Sequence, residues 1–183
     1  GTDAIIILRE TPFYAESGGQ VGDQGMIFHA GDVFKVTDTQ KKKDAILHFG
    51  KMVEGTLKKT DKVTVEINLG RRRAIAGSHS ATHLLHSALR QVLGAHVQQR
   101  GSLVEPGRLR FDFSHDKPLS EQEIDHLNEL VNQEIQAYIP SQTRLMSYDD
   151  AIKDGAMAFF DEKYEDRVRV LSIGNQSVEL CGG

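Results

Sequence analysis

The 183-residue sequence contains a single cysteine, no tryptophan and four prolines, and its formal net charge is −4. One cysteine cannot form a disulfide within the chain, which argues against a disulfide-stapled secreted protein and favours a cytoplasmic location. The negative charge excludes a uniformly basic surface for nucleic acid, although a local basic patch can still bind phosphates. No apolar run approaches the roughly 20 residues that span a bilayer, so we expect no membrane association.

Hydrophobic residues make up 39% of the chain and charged residues 26%, which are ordinary values for a globular protein. The length suffices for one large domain or two small ones. The chain begins at Gly1 rather than Met and ends with Cys181-Gly182-Gly183. We expect both ends to be cuts within a longer polypeptide.

The first third of the chain is dominated by short β-strand patterns. Apolar and alternating segments predict strands, the first of them buried, at residues 4–8, 26–29, 33–37, 45–49 and 62–68. Several short strands at this spacing indicate a small barrel or sandwich, and we expect it to end near residue 70.

The remainder mixes helices and strands, which predicts an α+β domain. Ser78 is the expected N-cap of a helix that stops at Gly94, and Ser120 with Glu123 forms a capping box for a second helix. A short helix is expected at 149–154, with strands at 97–104, 109–113, 144–148, 167–173 and 177–181, the last two joined at Gly174-Asn175. Phe159-Phe160 is expected in the core. The predicted domains are therefore residues 1–70 and 71–183.

One group of residues has the chemistry of a metal site. His79 and His83 lie four apart in a predicted helix, so both imidazoles lie on one face, and His86 follows as a supporting group. The spacing alone is a weak signal, and Ser80 stands where zinc proteases carry their catalytic glutamate. Cys181 adds a thiolate, and two imidazoles with a thiolate suit zinc. The sequence leaves open whether three ligands keep a coordination position free or a fourth closes it.

Four stretches of the chain resemble motifs of one family. Residues 77–86 (GSHSATHLLH) resemble the first metal motif in the editing domain of the alanyl-tRNA synthetases. The other matching stretches are residues 13–23 (FYAESGGQVGD), 109–115 (LRFDFSH) and 178–183 (VELCGG). The same domain occurs in free-standing AlaX proteins and, in divergent form, in threonyl-tRNA synthetases. The matches run along nearly the whole chain, which favours a bacterial-type synthetase over an AlaX protein.

The resemblance implies a fold, an activity and a cofactor. Residues 1–70 would form a small β-barrel like that of translation factors, and residues 71–183 a mixed α+β zinc-binding editing domain. Such domains hydrolyse the ester of tRNA(Ala) mischarged with serine or glycine. They hold one Zn²⁺ through His-x-x-x-His and Cys-x-x-x-His motifs, which implies His79, His83 and Cys181 as ligands and a fourth, histidine ligand beyond Gly183. Charging with alanine and ATP would occur in another domain of the same polypeptide.

An editing site must also recognise the wrong amino acid. Thr82 and Gln98-Gln99 are candidates for hydrogen bonds to a serine hydroxyl, and by resemblance Gln99 matches a pocket position in the family. We therefore take Gln99 and Thr82 as the candidate catalytic residues. From the residues alone, the favoured interpretation is that Thr82 is an ordinary helix-surface threonine and that the glutamines lie on a solvated strand edge.

Contacts with tRNA are predicted at two places. Arg71-Arg72-Arg73 is either a solvated basic run or a phosphate-binding patch. The segment around Gly18-Gly19-Gln20 lacks the spacing of a P-loop or a dinucleotide-binding loop, and it predicts either a tight connection or a loop that approaches the tRNA acceptor end. Two function classes remain open: an editing hydrolase, and a non-catalytic tRNA-binding module with structural zinc.

Overall fold

The computed structural model describes residues 1–157, 166–174 and 177–181. The class is mixed α+β with several sheets, as predicted. Backbone contacts divide the chain into a first unit, residues 1–76 with 105–108, and a second unit, residues 77–104 with 109 onward. The domain boundary at residue 70 stays a prediction. Asn175 of the predicted turn, the predicted core pair Phe159-Phe160 and the terminal Gly182-Gly183 lie outside the described residues.

The first unit contains a five-stranded antiparallel sheet in the order β1-β4-β3-β2-β5. Its strands are β1 (Asp3–Ile7), β2 (Gly25–His29), β3 (Asp32–Lys42), β4 (Ala45–Glu54) and β5 (Thr64–Ile67). The predicted barrel is not confirmed, because no pairing joins the two edge strands, β1 and β5, within this fully described stretch. Both edge strands are short, with five and four residues, and offer few backbone groups for closure.

The core of this unit is formed by Phe13, Ile27, Phe34 and Val36. The prediction that the first strand is buried is wrong, because β1 lies at the edge of its sheet and, among the described strands, pairs only with β4. As a result, the side chains of Ile5 and Ile7 are 52% and 62% exposed.

The first helix, α1 (Leu69–Leu93), begins before the predicted N-cap. The side chain of Asn68 accepts a hydrogen bond from the Arg71 amide at 3.0 Å, and the Asn68 carbonyl accepts the first helical bond, from Arg72, at 2.9 Å. Asn68 therefore caps the helix, and the prediction of Ser78 in that role is wrong. The predicted end is confirmed: Gly94 follows the helix with φ 114°, a conformation that favours glycine.

The described residues of the second unit form two sheets and two helices besides the end of α1. Strands β6 (Gln99–Glu105) and β7 (Arg108–Phe113) pair with each other, and a second sheet has the order β10-β9-β8. Its remaining elements are α2 (Glu121–Gln136), β8 (Ser141–Ser147), α3 (Tyr148–Lys153), β9 (Arg167–Ile173) and β10 (Ser177–Leu180). The predicted capping box of Ser120 and Glu123 is confirmed at the start of α2. In the described part of the chain, no helix is long and apolar enough to cross a membrane.

Candidate metal centre

The structure brings the predicted ligands His79, His83 and Cys181 together. His79 and His83 lie one turn apart on α1, with ring centroids separated by 5.0 Å. Cys181 directly follows β10, and its backbone amide donates to the Arg169 carbonyl at 2.9 Å, which fixes its position beside β9. The ligand atoms of the three residues lie within 4.8 Å of one another, and His79 Nε2 is 3.1 Å from Cys181 Sγ.

The electrostatics of the group favour a thiolate. Burial alone would raise the pKa of the Cys181 thiol, but hydrogen bonds to His79 and His83 outweigh it and lower that pKa to about 5. Burial would lower the pKa of His83, but its bonds to Cys181 and Glu179 raise it to about 9. In the metal-free protein, a protonated His83 therefore lies between two anions, and Cys181 is in the form that binds metals.

Glu179 is a residue of this site that sequence reasoning missed. Its side chain is 1% exposed, and its two oxygens accept hydrogen bonds from His83 Nδ1 at 2.5 Å and His86 Nδ1 at 2.9 Å. Burial would raise the pKa of this carboxyl, but the two histidine bonds lower it to about 2. Because an ionised carboxylate only accepts, both Nδ1 atoms must carry protons. His83 is thus held with its other nitrogen, Nε2, toward Cys181, where a metal ion would displace the proton on that nitrogen.

The sequence did contain a signal for Glu179. It precedes Cys181 by two residues along a strand, and residues so spaced extend to the same side. Carboxylates that accept from the far nitrogen of a ligating histidine are common beside zinc.

The donor set fits zinc. Two imidazole nitrogens and a thiolate match its borderline softness, and the three atoms converge from one helix and the end of a strand. His79, His83 and Cys181 are the residues that would hold the ion, while Glu179 and His86 form the hydrogen-bonded support behind His83.

The two pocket candidates are placed differently. Thr82 is buried on α1, directly before His83, and its hydroxyl donates to the Ser78 carbonyl at 2.9 Å. Gln99 is half-buried at the start of β6. Within the described residues, its side-chain amide makes no hydrogen bond, and no bond or ring contact joins it to the three ligands.

Gly18 and Gly19 form a tight turn. Both have positive φ angles, 56° and 80°, and the flanking Ser17 and Gln20 exchange backbone hydrogen bonds of 3.2 and 2.9 Å. Glycine adopts this conformation without strain, so the turn explains both glycines structurally. Gln20 is buried, which leaves little of its side chain for a partner.

The three consecutive arginines have different environments. Arg72 binds Asp23 through Nε, at 2.9 and 3.0 Å from the two carboxylate oxygens, and also through Nη2. Arg71 Nη1 donates to the Gly22 carbonyl at 2.8 Å. Arg73 is exposed and makes no side-chain hydrogen bond or ion pair with any described residue.

This difference yields a stability prediction. We expect Arg72→Ala to lower the free energy of unfolding by about 3 kcal/mol, because it leaves the buried Asp23 carboxylate without its cation. Arg73→Ala is the matched control and should change stability by less than about 0.5 kcal/mol. Urea unfolding of the two variants measures both values. Equal effects of the two substitutions would contradict a structural role for Arg72.

Comparisons with known proteins agree with the motifs. The family model for class II (A) tRNA synthetases matches residues 1–71. Along its whole length the chain is 55% identical to an alanine–tRNA ligase of Burkholderia vietnamiensis (strain G4 / LMG 22486) and 54% identical to one of Burkholderia cenocepacia (strain HI2424). It spans 21% of the length of each relative. Along its whole length the chain is therefore homologous to a segment of alanine–tRNA ligases.

Proposed function

We propose that this chain is the editing region of an alanine–tRNA ligase, a zinc-dependent hydrolase that acts in the cytoplasm on the ester bond of Ser-tRNA(Ala) and Gly-tRNA(Ala). The observation that carries the proposal is the convergence of His79, His83 and Cys181, whose ligand atoms lie within 4.8 Å. The homology to alanine–tRNA ligases supports tRNA(Ala) as the proposed partner. Attachment of alanine with ATP belongs, in this proposal, to another domain of the same enzyme.

Hydrolysis of mischarged tRNA compensates for the limited selectivity of a pocket that binds alanine. An alanine pocket gains only about 1–3 kcal/mol from one methyl group, so it cannot strongly exclude glycine. An apolar pocket also rejects the added hydroxyl of serine poorly. A second site that hydrolyses the wrong product removes these errors, provided that it distinguishes a hydroxyl from a methyl.

The residues of the site have distinct roles in this proposal. His79, His83 and Cys181 hold the zinc, which when bound supplies a Lewis acid for polarising the ester or a bound water. Glu179 orients the His83 ring by accepting its Nδ1 proton. The Thr82 hydroxyl has directed its proton to the Ser78 carbonyl, so its lone pairs can accept from a serine hydroxyl. Gln99 contributes a second polar group from β6.

Arg73 is our candidate for electrostatic contact with tRNA. It is the exposed arginine of the run, whereas Arg71 and Arg72 are bonded within the protein. Gly18, Gly19 and Gln20 remain proposed as a backbone surface near the tRNA acceptor end, since their tight turn holds the backbone in a fixed shape.

A second candidate function is a non-catalytic tRNA-binding module with structural zinc. The burial of His83 and Cys181 favours it, because structural zinc sites have all coordination positions filled by protein and keep none open for water. His79 is only partly buried, which leaves one side of the group accessible and favours the hydrolase.

A deacylation assay separates the two functions. We expect the enzyme that contains this region to release serine from Ser-tRNA(Ala) much faster than alanine from Ala-tRNA(Ala). Gln99→Ala should slow serine release at least roughly tenfold, the effect of losing one hydrogen bond to the substrate, with zinc content and melting temperature unchanged. Gln133→Ala, which removes an exposed glutamine on α2, is the matched control and should retain the rate.

Two results would contradict the proposal. Equal release of serine and alanine would exclude an editing function. Loss of zinc or early melting in Gln99→Ala would make Gln99 a structural residue.

A further inference from the structure

A second group of side chains that could hold a metal ion, sharing no residue with the first, lies where the segment before β6 meets the end of β7. His96 Nε2, His115 Nδ1 and a carboxylate oxygen of Asp116 lie within 4.8 Å of one another. We propose that these three residues form a second site for a divalent transition metal, independent of the site at Cys181. The proposal does not depend on the hydrolytic function.

The distances suit a shared ion. His96 Nε2 lies 3.0 Å from His115 Nδ1, and Asp116 Oδ1 lies 3.9 Å from the same nitrogen. Zinc–nitrogen bonds of about 2.0–2.1 Å place the nitrogens of a tetrahedral site roughly 3.3 Å apart. The two imidazoles therefore need to separate by only a few tenths of an ångström to bind one ion. The metal replaces the hydrogen bond that the two rings share in its absence.

The two histidines are held in place before any ion binds. The Ser114 amide donates to the Gln98 carbonyl at 3.0 Å, and the Gln98 amide donates to the Ser114 hydroxyl oxygen at 3.0 Å. The same hydroxyl lies 3.2 Å from the His96 carbonyl. These bonds tie the residues beside His96 to the residue beside His115, so forming the site requires little additional ordering.

The His115 ring is buried and packed in place, whereas the His96 ring is exposed to solvent. The His115 side chain is 7% exposed and packs between His96 and Phe113, with centroid separations of 5.2 and 6.4 Å. Its Nε2 atom is buried and has no hydrogen-bond partner in the described part of the chain, so Nδ1 is the nitrogen that can bind a ligand. His96 and Asp116 are exposed and give an ion access from solvent.

The donor set selects the class of ion. Two imidazoles and one carboxylate suit Zn²⁺, Ni²⁺ and Cu²⁺, whereas Mg²⁺ and Ca²⁺ prefer oxygen ligands alone. Three protein ligands leave room for water in the remaining position. A bound ion would brace the approach to β6, the strand that begins with Gln99.

Zinc calorimetry on three variants of the chain tests this site. Cys181→Ser serves as the parent, because it weakens the first site and leaves the second intact. We expect Cys181→Ser/His96→Gln to lose one equivalent of bound zinc, or to bind it at least roughly tenfold more weakly. Cys181→Ser/His126→Gln is the matched control, since His126 is an exposed histidine on α2, and it should bind like the parent.

Absorption spectra of the cobalt-substituted wild-type chain show which of the two sites holds each equivalent of bound metal. Cobalt at the first site should show thiolate charge transfer, whereas cobalt at the second should show only weak ligand-field bands. His96→Gln should remove the second component alone, and NMR should show zinc-dependent shifts of the His96 and His115 rings in the parent. Unchanged zinc stoichiometry in the His96 variant, or absence of those ring shifts, would overturn the second site, whatever the result of the deacylation assay.

Discussion

Replacing Cys181 with serine should weaken zinc binding at the first site by roughly 100-fold or more. Structural zinc sites have apparent binding free energies of about 10–16 kcal/mol, so a single ligand accounts for about 3 kcal/mol. Serine is nearly isosteric with cysteine, but its hydroxyl does not ionise at neutral pH and cannot supply a soft anionic ligand. The thiol of Cys181, in contrast, has a pKa lowered to about 5. Burial raises this pKa, but the hydrogen bonds to the histidines lower it by more.

Chelator competition measures this affinity, and cobalt substitution identifies the ligand. The wild-type chain should show a thiolate-to-cobalt absorption band, and Cys181→Ser should lack it. His126→Gln, which removes an exposed histidine far along the sequence from the ligands, should keep both band and affinity. If Cys181→Ser bound zinc as tightly as the wild type, Cys181 would not be a ligand and the proposed centre would be wrong.

Replacing Glu179 with glutamine should weaken zinc binding by about 10–100-fold, although Glu179 is not itself a proposed ligand. The ionised carboxylate accepts from both His83 and His86. A glutamine amide has a single oxygen, so one Nδ1–H would face an NH₂ group in a buried site. We expect the His83 ring to rotate or change tautomer, which removes its free nitrogen from the ligand position.

The same substitution should destabilise the metal-free protein by about 3 kcal/mol near neutral pH, because it breaks a buried charged network. The folded-state pKa of Glu179 is lowered to about 2. Burial raises this pKa, but the hydrogen bonds from His83 and His86 lower it by more. A lowered carboxyl pKa stabilises the fold above the unfolded value near 4.5, and this stabilisation is lost as pH falls toward 2. The difference between wild type and Glu179→Gln should therefore shrink over that range.

Chemical unfolding at several pH values, with zinc titration at neutral pH, checks both effects. Glu129→Gln is the matched control, because Glu129 is an exposed carboxylate on α2 and its loss should change neither quantity. A Glu179→Gln protein with wild-type zinc affinity and stability would show that the carboxylate does not orient His83.

The local elements of this protein follow from its sequence. The capping box of Ser120 and Glu123 and the C-terminal Gly94 are short-range signals, because their hydrogen bonds or backbone angles involve neighbouring residues. The sequence pattern predicts Ser78 as the N-cap of α1, which is wrong, because the apolar face of the helix becomes clear only after that residue. The polar first turns, with three arginines, resemble a linker, and Asn68 caps them instead.

The lengths and pairing of the strands are harder to predict from the sequence than their positions. Alternation identifies strands, but β3 and β4 extend beyond the predicted segments into polar residues, where backbone pairing sets the length rather than side-chain pattern. Whether five strands close into a barrel depends on pairing between strands distant in the chain, and here β1 and β5 remain separate edges.

For the metal centre, the sequence by itself determined the ligand types and the spacing that puts His79 and His83 on one helical face. Only the tertiary structure decided that Cys181 reaches His79 and that Glu179 bonds His83 and His86. It also decided that Arg72 binds Asp23, whereas the Arg73 side chain bonds no described residue. The physical reason is the separation along the chain between the residues that make each contact. Helical geometry fixes contacts between residues three or four apart, whereas a contact across 102 positions requires every intervening turn and strand pairing to be in place.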